Sequence, residues 1–215
     1  LLLLINILIA PVVFGKDPKI KYSKKDISNY FSGVVYLSQN YTTTGFKYLN
    51  KVQSLKNVHS NYSIQFVRSL ILLEKFKEAS EFSKSVWDDD NYLYEVDIIL
   101  GLESFLKKDY NNASKHFQRL NKFSEHYLFL ENFLSNVLMS WVSAVQNNKK
   151  DSLDYLNEIP GRFTNLKKIQ KSFLTCYFDT SQSETEIVFK ELINSTKTNF
   201  SRYDFFLANY LFNNN

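Results

Sequence analysis

The residues with most chemistry to offer are three histidines, one cysteine and a short acidic run. His59 lies in the turn Asn57-Val58-His59-Ser60, His116 follows Lys115 in mid-helix, and His126 sits in Ser124-Glu125-His126-Tyr127. None has a second histidine at the i, i+4 spacing that turns two imidazoles toward one metal. His116 is expected to face solvent, and Glu125–His126 and Glu95–Asp97 read as surface neighbours. Asp88-Asp89-Asp90-Asn91 has the acidity of a cation loop but lacks the glycine and distal glutamate of a calcium site. It falls just before a helix, where Asp and Asn would cap the helix start. Cys176, in Leu174-Thr175-Cys176-Tyr177, lies on an apolar helix with no histidine nearby and reads as a buried, inert thiol. The glycines are isolated, so there is no phosphate-cradling loop, and there is no G-x-S-x-G elbow. No catalytic, cofactor-binding or metal-ligating residue is expected, and the chain reads as a non-enzyme without a cofactor.

Any site these residues belong to needs a scaffold, and the composition says which kind. The chain has 215 residues, 44% of them hydrophobic, enough for one packed domain or one short repeat array. Five glycines and three prolines are too few for the turns of an all-β sandwich or barrel, which leaves long helices. A single cysteine excludes an internal disulfide and a cysteine zinc site. The net charge is +4, from 22 lysines and 4 arginines alternating with 22 acids. Nucleic-acid binders concentrate basic charge and favour the forked contacts of arginine. The pattern here is that of a solvated surface, and no nucleic-acid partner is expected.

The N-terminus carries an apolar run from Leu1 to Phe14, too short to span a bilayer. It is similar to the centre of a secretory signal peptide, with Val13-Phe14-Gly15 at cleavage spacing. An uncleaved anchor and a buried first helix or strand are the other readings. Five lysines between Lys16 and Lys25 form a basic linker. The expected organisation is a signal peptide or hydrophobic segment at 1–15, a linker at 16–25 and a helical domain at 26–215. The expected location is periplasmic or otherwise exported, with a membrane-anchored form as the alternative. Membrane contact is expected only through the N-terminal segment. At the other end, the apolar helix Phe205–Phe212 needs cover, and the chain is expected to continue past Asn215.

Three turn-then-helix landmarks recur: Asn40-Tyr41-x-x-Thr44-x-x-x-Tyr48, Lys75-Phe76-x-x-Ala79-x-x-x-Ser83 and Asp109-Tyr110-x-x-Ala113-x-x-x-Phe117. Tyr41 to Phe76 is 35 residues, and Phe76 to Tyr110 is 34. Each landmark follows an apolar run at helical spacing and opens a second amphipathic helix, at 46–52, 77–86 and 111–120. Past residue 121 the period drifts. Helices are predicted at 129–145, 151–158, 167–178 and 184–193, with Val188 and Leu192 facing inward, and another starts at Arg202.

With these residues the chain resembles the tetratricopeptide repeat family. Leu100-Gly101 matches the family's large–small pair on the first helix, and Tyr110, Ala113 and Phe117 match the aromatic, small and aromatic positions of the second. The first unit departs from the pattern at Phe31-Ser32-Gly33 and Thr44, the second at Val67 and Ser83, and the terminal proline is missing from all three. The resemblance implies an all-α superhelix, a solenoid of about five helical hairpins, in which small residues let paired helices approach. A chain of unrelated hairpins is the rival architecture.

In such solenoids the first helix of each pair lines a concave face. The resemblance places Asn29, Gly33 and Tyr36 there from the first unit, and Ile64, Arg68 and Ile71 from the second. Ile98, Leu102 and Phe105 follow from the third, and Val137, Trp141 and Ala144 from the fourth. Such a face suits an extended or helical peptide with apolar anchors, although an apolar stripe is also what core packing produces. The expected function is a non-enzymatic interaction scaffold of the bacterial envelope, with a protein or peptide as partner. The alternative is a recruiting or regulatory part of a larger enzyme or assembly.

Overall fold

The computed structural model describes residues 22–56, 58–123, 132–178, 182–195 and 201–214. The 1–15 segment, most of the linker, His126 and the start of the predicted 129–145 helix lie outside the described residues. The described backbone is helical with turns and contains no strand. None of its helices is long and apolar enough to cross a membrane. The chain divides into two compact units, Leu1–Gln53 and Ser54–Asn215.

In the first unit, α1 (Lys24–Ser38) pairs with α2 (Thr42–Leu49). A capping box starts α1. Ser23 Oγ accepts from the Asp26 amide at 3.0 Å, and the Asp26 carboxylate accepts from the Ser23 amide at 3.2 Å. The two helices meet at glycines: a Cβ on Gly33 would lie 2.7 Å from Leu49, and one on Gly45 would lie 2.7 Å from Leu37. Above this contact the Tyr36 ring stacks on Tyr48, 5.5 Å between centroids.

The second unit continues in hairpins. These are α3 (Ser60–Leu72) with α4 (Phe76–Val86), α5 (Tyr94–Leu106) with α6 (Tyr110–Arg119), and α7 (Phe133–Val145) with α8 (Lys149–Asn157). The pair α9 (Thr164–Phe178) and α10 (Gln182–Ser195) follows, and α11 (Ser201–Asn214) packs on α10. The described helices therefore form five hairpins and half of another, as the sequence pattern predicts.

One turn is used four times. Asn40, Glu74, Lys108 and Asn147 adopt left-handed backbone, with φ of 64°, 58°, 62° and 60°. After each, the next amide donates to the carbonyl five residues back: Tyr41 to Tyr36, Lys75 to Leu70 and Asp109 to Ser104 at 2.9 Å, and Asn148 to Ser143 at 3.0 Å. This closes the last turn of the first helix and aims the chain into the second.

The recurrence corrects the register of the first repeat. The left-handed residues are spaced 34, 34 and 39 apart. Tyr41 therefore corresponds to Lys75 and Asp109, and the partner of Ala79 and Ala113 is Gly45, not Thr44. In this register each of the four hairpins with this turn has two buried close-packing residues twelve apart: Gly33 and Gly45, Val67 and Ala79, Gly101 and Ala113, Ser140 and Ser152. The drift past residue 121 is a five-residue lengthening between α6 and α7, and the α7–α8 hairpin keeps the internal spacing.

Gly101 shows why the pair must be small. A Cβ there would stand 2.4 Å from the Phe117 ring. Phe117 is buried with Ala113, Leu120, Met139 and Val142, and Tyr110 packs partly buried against that cluster. Further along, Val137, Leu156 and Leu174 anchor a second cluster, and Phe189, Leu192 and Leu207 a third. On α10 the inward anchors are Phe189 and Leu192, while Val188 is only half-buried. Cys176 is also half-buried, packed against the third cluster, rather than fully enclosed as expected.

Candidate interaction face

The first helices of the second unit carry the expected binding residues in one register. Ile64, Arg68 and Ile71 of α3 stand where Ile98, Leu102 and Phe105 stand in α5, and where Val137, Trp141 and Ala144 stand in α7. Helices α3 and α5 lie side by side and are joined by an ion pair. Arg68 Nε donates to Glu95 Oε1 at 2.7 Å, with its second nitrogen bonded to the same oxygen. The Arg68 side chain remains 44% exposed. Leu102 is 39% exposed, and the register-matched Leu72 and Leu106 at the ends of α3 and α5 are 63% and 81% exposed.

The other expected residues turn inward to differing degrees. Ile98 and Phe105 pack against the Ala113–Phe117 cluster, Phe105 meeting the Tyr110 ring at 5.9 Å. Trp141 packs against the next cluster, donates from Nε1 to Gln170 Oε1 at 3.0 Å and meets the Tyr177 ring edge-on. Val137 is buried. In the first unit Asn29 and Gly33 are buried, Gly33 against α2, and Tyr36 stacks inside its hairpin. The corrected register explains this: the counterparts of Ile64, Arg68 and Ile71 on α1 are Tyr30, Val34 and Leu37, each one residue on from the positions expected. Of these residues Arg68 and Leu102 are exposed, while Ile64, Ile71, Ile98 and Phe105 are half-buried.

The histidine expected at the surface is in the interior. His116 and Asp97 are both buried, and His116 Nδ1 lies 2.8 Å from Asp97 Oδ1. The same carboxylate receives Trp87 Nε1 at 3.1 Å and Arg119 Nε at 3.0 and 3.1 Å. Glu95 is buried as well, so the Glu95–Asp97 segment is an inner face of α5, not a surface one. A charge can be sealed off like this only when charged and hydrogen-bonding partners surround it.

Arg119 also accounts for the acidic run. Its guanidinium donates to the carbonyls of Asp88 at 2.7 Å, Asp89 at 2.8 Å and Asn91 at 3.2 Å, while its plane lies over Trp87 and Tyr92. The run is therefore a cup of backbone oxygens around a cation. It is not the cap of α5, whose N-cap is Leu93 with no side-chain bond. Beside the cup lies a cavity of about 380 Å³, lined by Lys56, His59, Ser60, Ser63, Trp87 and Asp88 among others. His59 Nδ1 accepts from the Tyr62 amide at 3.0 Å and caps α3. Among the described residues no three His, Cys, Asp or Glu side chains converge as metal ligands.

Glu103 on α5 is a second polar hub. Burial raises its pKa, but hydrogen bonds from Lys107 at 2.6 Å, Lys84 at 2.8 Å and Ser80 outweigh that and hold it at about 2. It ties α4 to α5 through charge, as Arg68 and Glu95 tie α3 to α5.

Comparison with known proteins supports this architecture. The crystal structure of the apo form of RapI is similar with a TM-score of 0.52, covering 82% of this chain and 72% of that one at 18% identity. The shared architecture is a helical repeat. An uncharacterised protein of Borreliella burgdorferi is 31% identical over 157 residues, 66% of this chain and 44% of its own. A provisionally named cytochrome P450 520B1 of Dictyostelium discoideum is 24% identical over 167 residues, 65% of this chain and 34% of its own. The chain thus spans between a third and a half of the lengths of these relatives. No protein-family profile matches it.

Proposed function

We propose that this helical-repeat chain is a non-enzymatic scaffold built from degenerate tetratricopeptide units. It binds a protein or peptide on the face shared by its first helices. The observation that carries this reading is the register match between α3 and α5, which sets exposed leucines around a half-exposed arginine: Leu72, Leu102 and Leu106 beside Arg68. A helical or extended peptide with apolar anchors and an acid fits that surface. The 34-residue spacing of the hairpin turns and the small residues between paired helices support the tetratricopeptide assignment. The test is recovery of partners from native cells by crosslinking. Leu102→Asp and Leu106→Asp are expected to abolish recovery while leaving the helical circular dichroism and melting temperature unchanged. Equal recovery with both variants removes this face from the function.

The second reading is a recruiting part of a larger enzyme or assembly. It is supported by the relatives, in which the matched region is a minor share of a longer chain. A catalytic motif in sequence flanking this chain favours recruitment, and further 34-residue units favour the scaffold. Location in the bacterial envelope goes with removal of residues 1–15 as a leader. N-terminal sequencing of the protein from cells tests that, a start at Lys16 supporting export.

A further inference from the structure

The cavity beside the Arg119 cup lies between the start of α3, the end of α4 and the loop that leads into α5. Its volume of about 380 Å³ falls near the lower end of the range for small-molecule sites, about 300–1,000 Å³. Val86 and Leu93 give it some apolar wall, and Ser63 and Ser85 are among its hydroxyls. Two side chains of opposite charge also line it, Lys56 and Asp88. Among the described residues neither has an ion-pair partner, and they do not pair with each other. The Lys56 ammonium lies 5.8 Å from the centroid of the Phe82 ring, and Asp88 Oδ1 accepts from the Asp90 amide at 2.8 Å. The charges next to them in sequence are engaged elsewhere. Lys84 pairs with Glu103 at 2.8 Å, and Asp89 with Lys115 at 3.0 Å.

We propose that this cavity binds a free α-amino acid, its carboxylate at Lys56 and its ammonium at Asp88. Charge selects the occupant. A ligand of one sign answers one of the two side chains and leaves the other facing the cavity alone, and a neutral polyol leaves both. The terminus of a protein partner also carries a single sign. An amino acid carries both, in a molecule small enough for the volume. The hydroxyls fit the same assignment. Ser63 Oγ donates to the Lys56 carbonyl at 3.0 Å, and Ser85 Oγ donates to the Phe82 carbonyl. Each has thereby placed its proton and offers a ligand only lone pairs, which suit an ammonium with three protons to donate. Val86 and Leu93 remain for the ligand's side chain. The cavity shares no residue with the leucines and Arg68 of the first-helix face, so its occupant stands whatever that face binds.

The test is thermal melting of the full 215-residue chain with each of the common α-amino acids in turn. At least one, at about ten times its dissociation constant, is expected to raise the melting temperature by about 3–5 °C. The analogues of that amino acid lacking the amine or the carboxylate are each expected to bind about tenfold more weakly, because each loses a charge-assisted contact. Lys56→Gln and Asp88→Asn are expected to weaken binding by about the same factor in isothermal titration, with unchanged helical circular dichroism. The asparagine keeps an acceptor for the Asp90 amide, and the analogue series needs only the native chain. Three results overturn the proposal. One is a melting temperature that no amino acid raises. Another is binding that both variants leave intact, which puts the site elsewhere. The last is an analogue with a single charge that binds as tightly as its parent, which leaves a site for one ion only.

Discussion

The Nε of Arg119 on α6 lies 3.0 Å from Oδ1 of Asp97 on α5, and both residues are buried. Because the same guanidinium holds three loop carbonyls, one side chain ties the α4–α5 connection to the hairpin that follows. Removing one member of a sealed ion pair strands the other charge and costs about 3–5 kcal/mol. Arg119→Ala is expected to lower stability by that amount in urea denaturation. Asp97→Asn, which keeps a polar group for Trp87 and Arg119, should cost less. A loss under about 1 kcal/mol for Arg119→Ala would show that the pair contributes nothing beyond a surface bridge.

Gly101→Ala tests the close approach of α5 and α6. The added methyl would meet the Phe117 ring at 2.4 Å, and overpacking of this kind costs about 1–3 kcal/mol. Phe117→Leu in the same chain should recover part of that loss, since the ring supplies the clash. Two independent, additive losses would place the strain elsewhere.

Glu103 gives the molecule an acid-sensitive joint. Its folded pKa of about 2 lies below the ordinary value of 4.5, so its contribution to stability is complete above pH 4.5 and is lost as the pH falls toward 2. Glu103→Gln is expected to be less stable than the parent at pH 7. The difference between the two should shrink through that window and vanish at its acid end, as read from denaturation midpoints at stepped pH. A constant difference would contradict the charged link to Lys84 and Lys107.

Glu74 and Lys108 hold left-handed backbone at 58° and 62°, a conformation costly for residues with a Cβ. Glu74→Gly and Lys108→Gly are each expected to stabilise the chain by about 0.5–1 kcal/mol, seen as a raised melting temperature. A destabilisation at both sites would mean that their side chains hold the turn.

The hairpins were legible because their signal is local: an apolar stripe, a turn and a second stripe repeat at near-constant spacing. The register of the first unit was not, since aromatics are frequent in this chain and the run Thr42-Thr43-Thr44 precedes Gly45, so that Tyr41 and Thr44 imitated a landmark one residue off. The turn itself decided between them through the left-handed Asn40, which no residue count reveals. The buried cluster was hidden for another reason. Asp97 meets His116 and Arg119 across 19 and 22 residues of chain, so adjacency in sequence says nothing of it. One clue was present: Asp97 is the lone charge inside Val96-Asp97-Ile98-Ile99-Leu100-Gly101-Leu102, and an acid in so apolar a stretch calls for a buried cation. The accessible face was half legible. Arg68 and Leu102, at matched positions on α3 and α5, are both exposed, but depth depends on the next helix along, which periodicity does not see.

The five extra residues between α6 and α7 leave the following turn and its pair of small residues intact. Length can therefore differ at the joints while the hairpins on either side keep one internal spacing. A gene of this kind can lengthen by copying whole modules or by stretching the seams, and its products would still nest, whereas a single residue gained inside a hairpin would throw its two helices out of step.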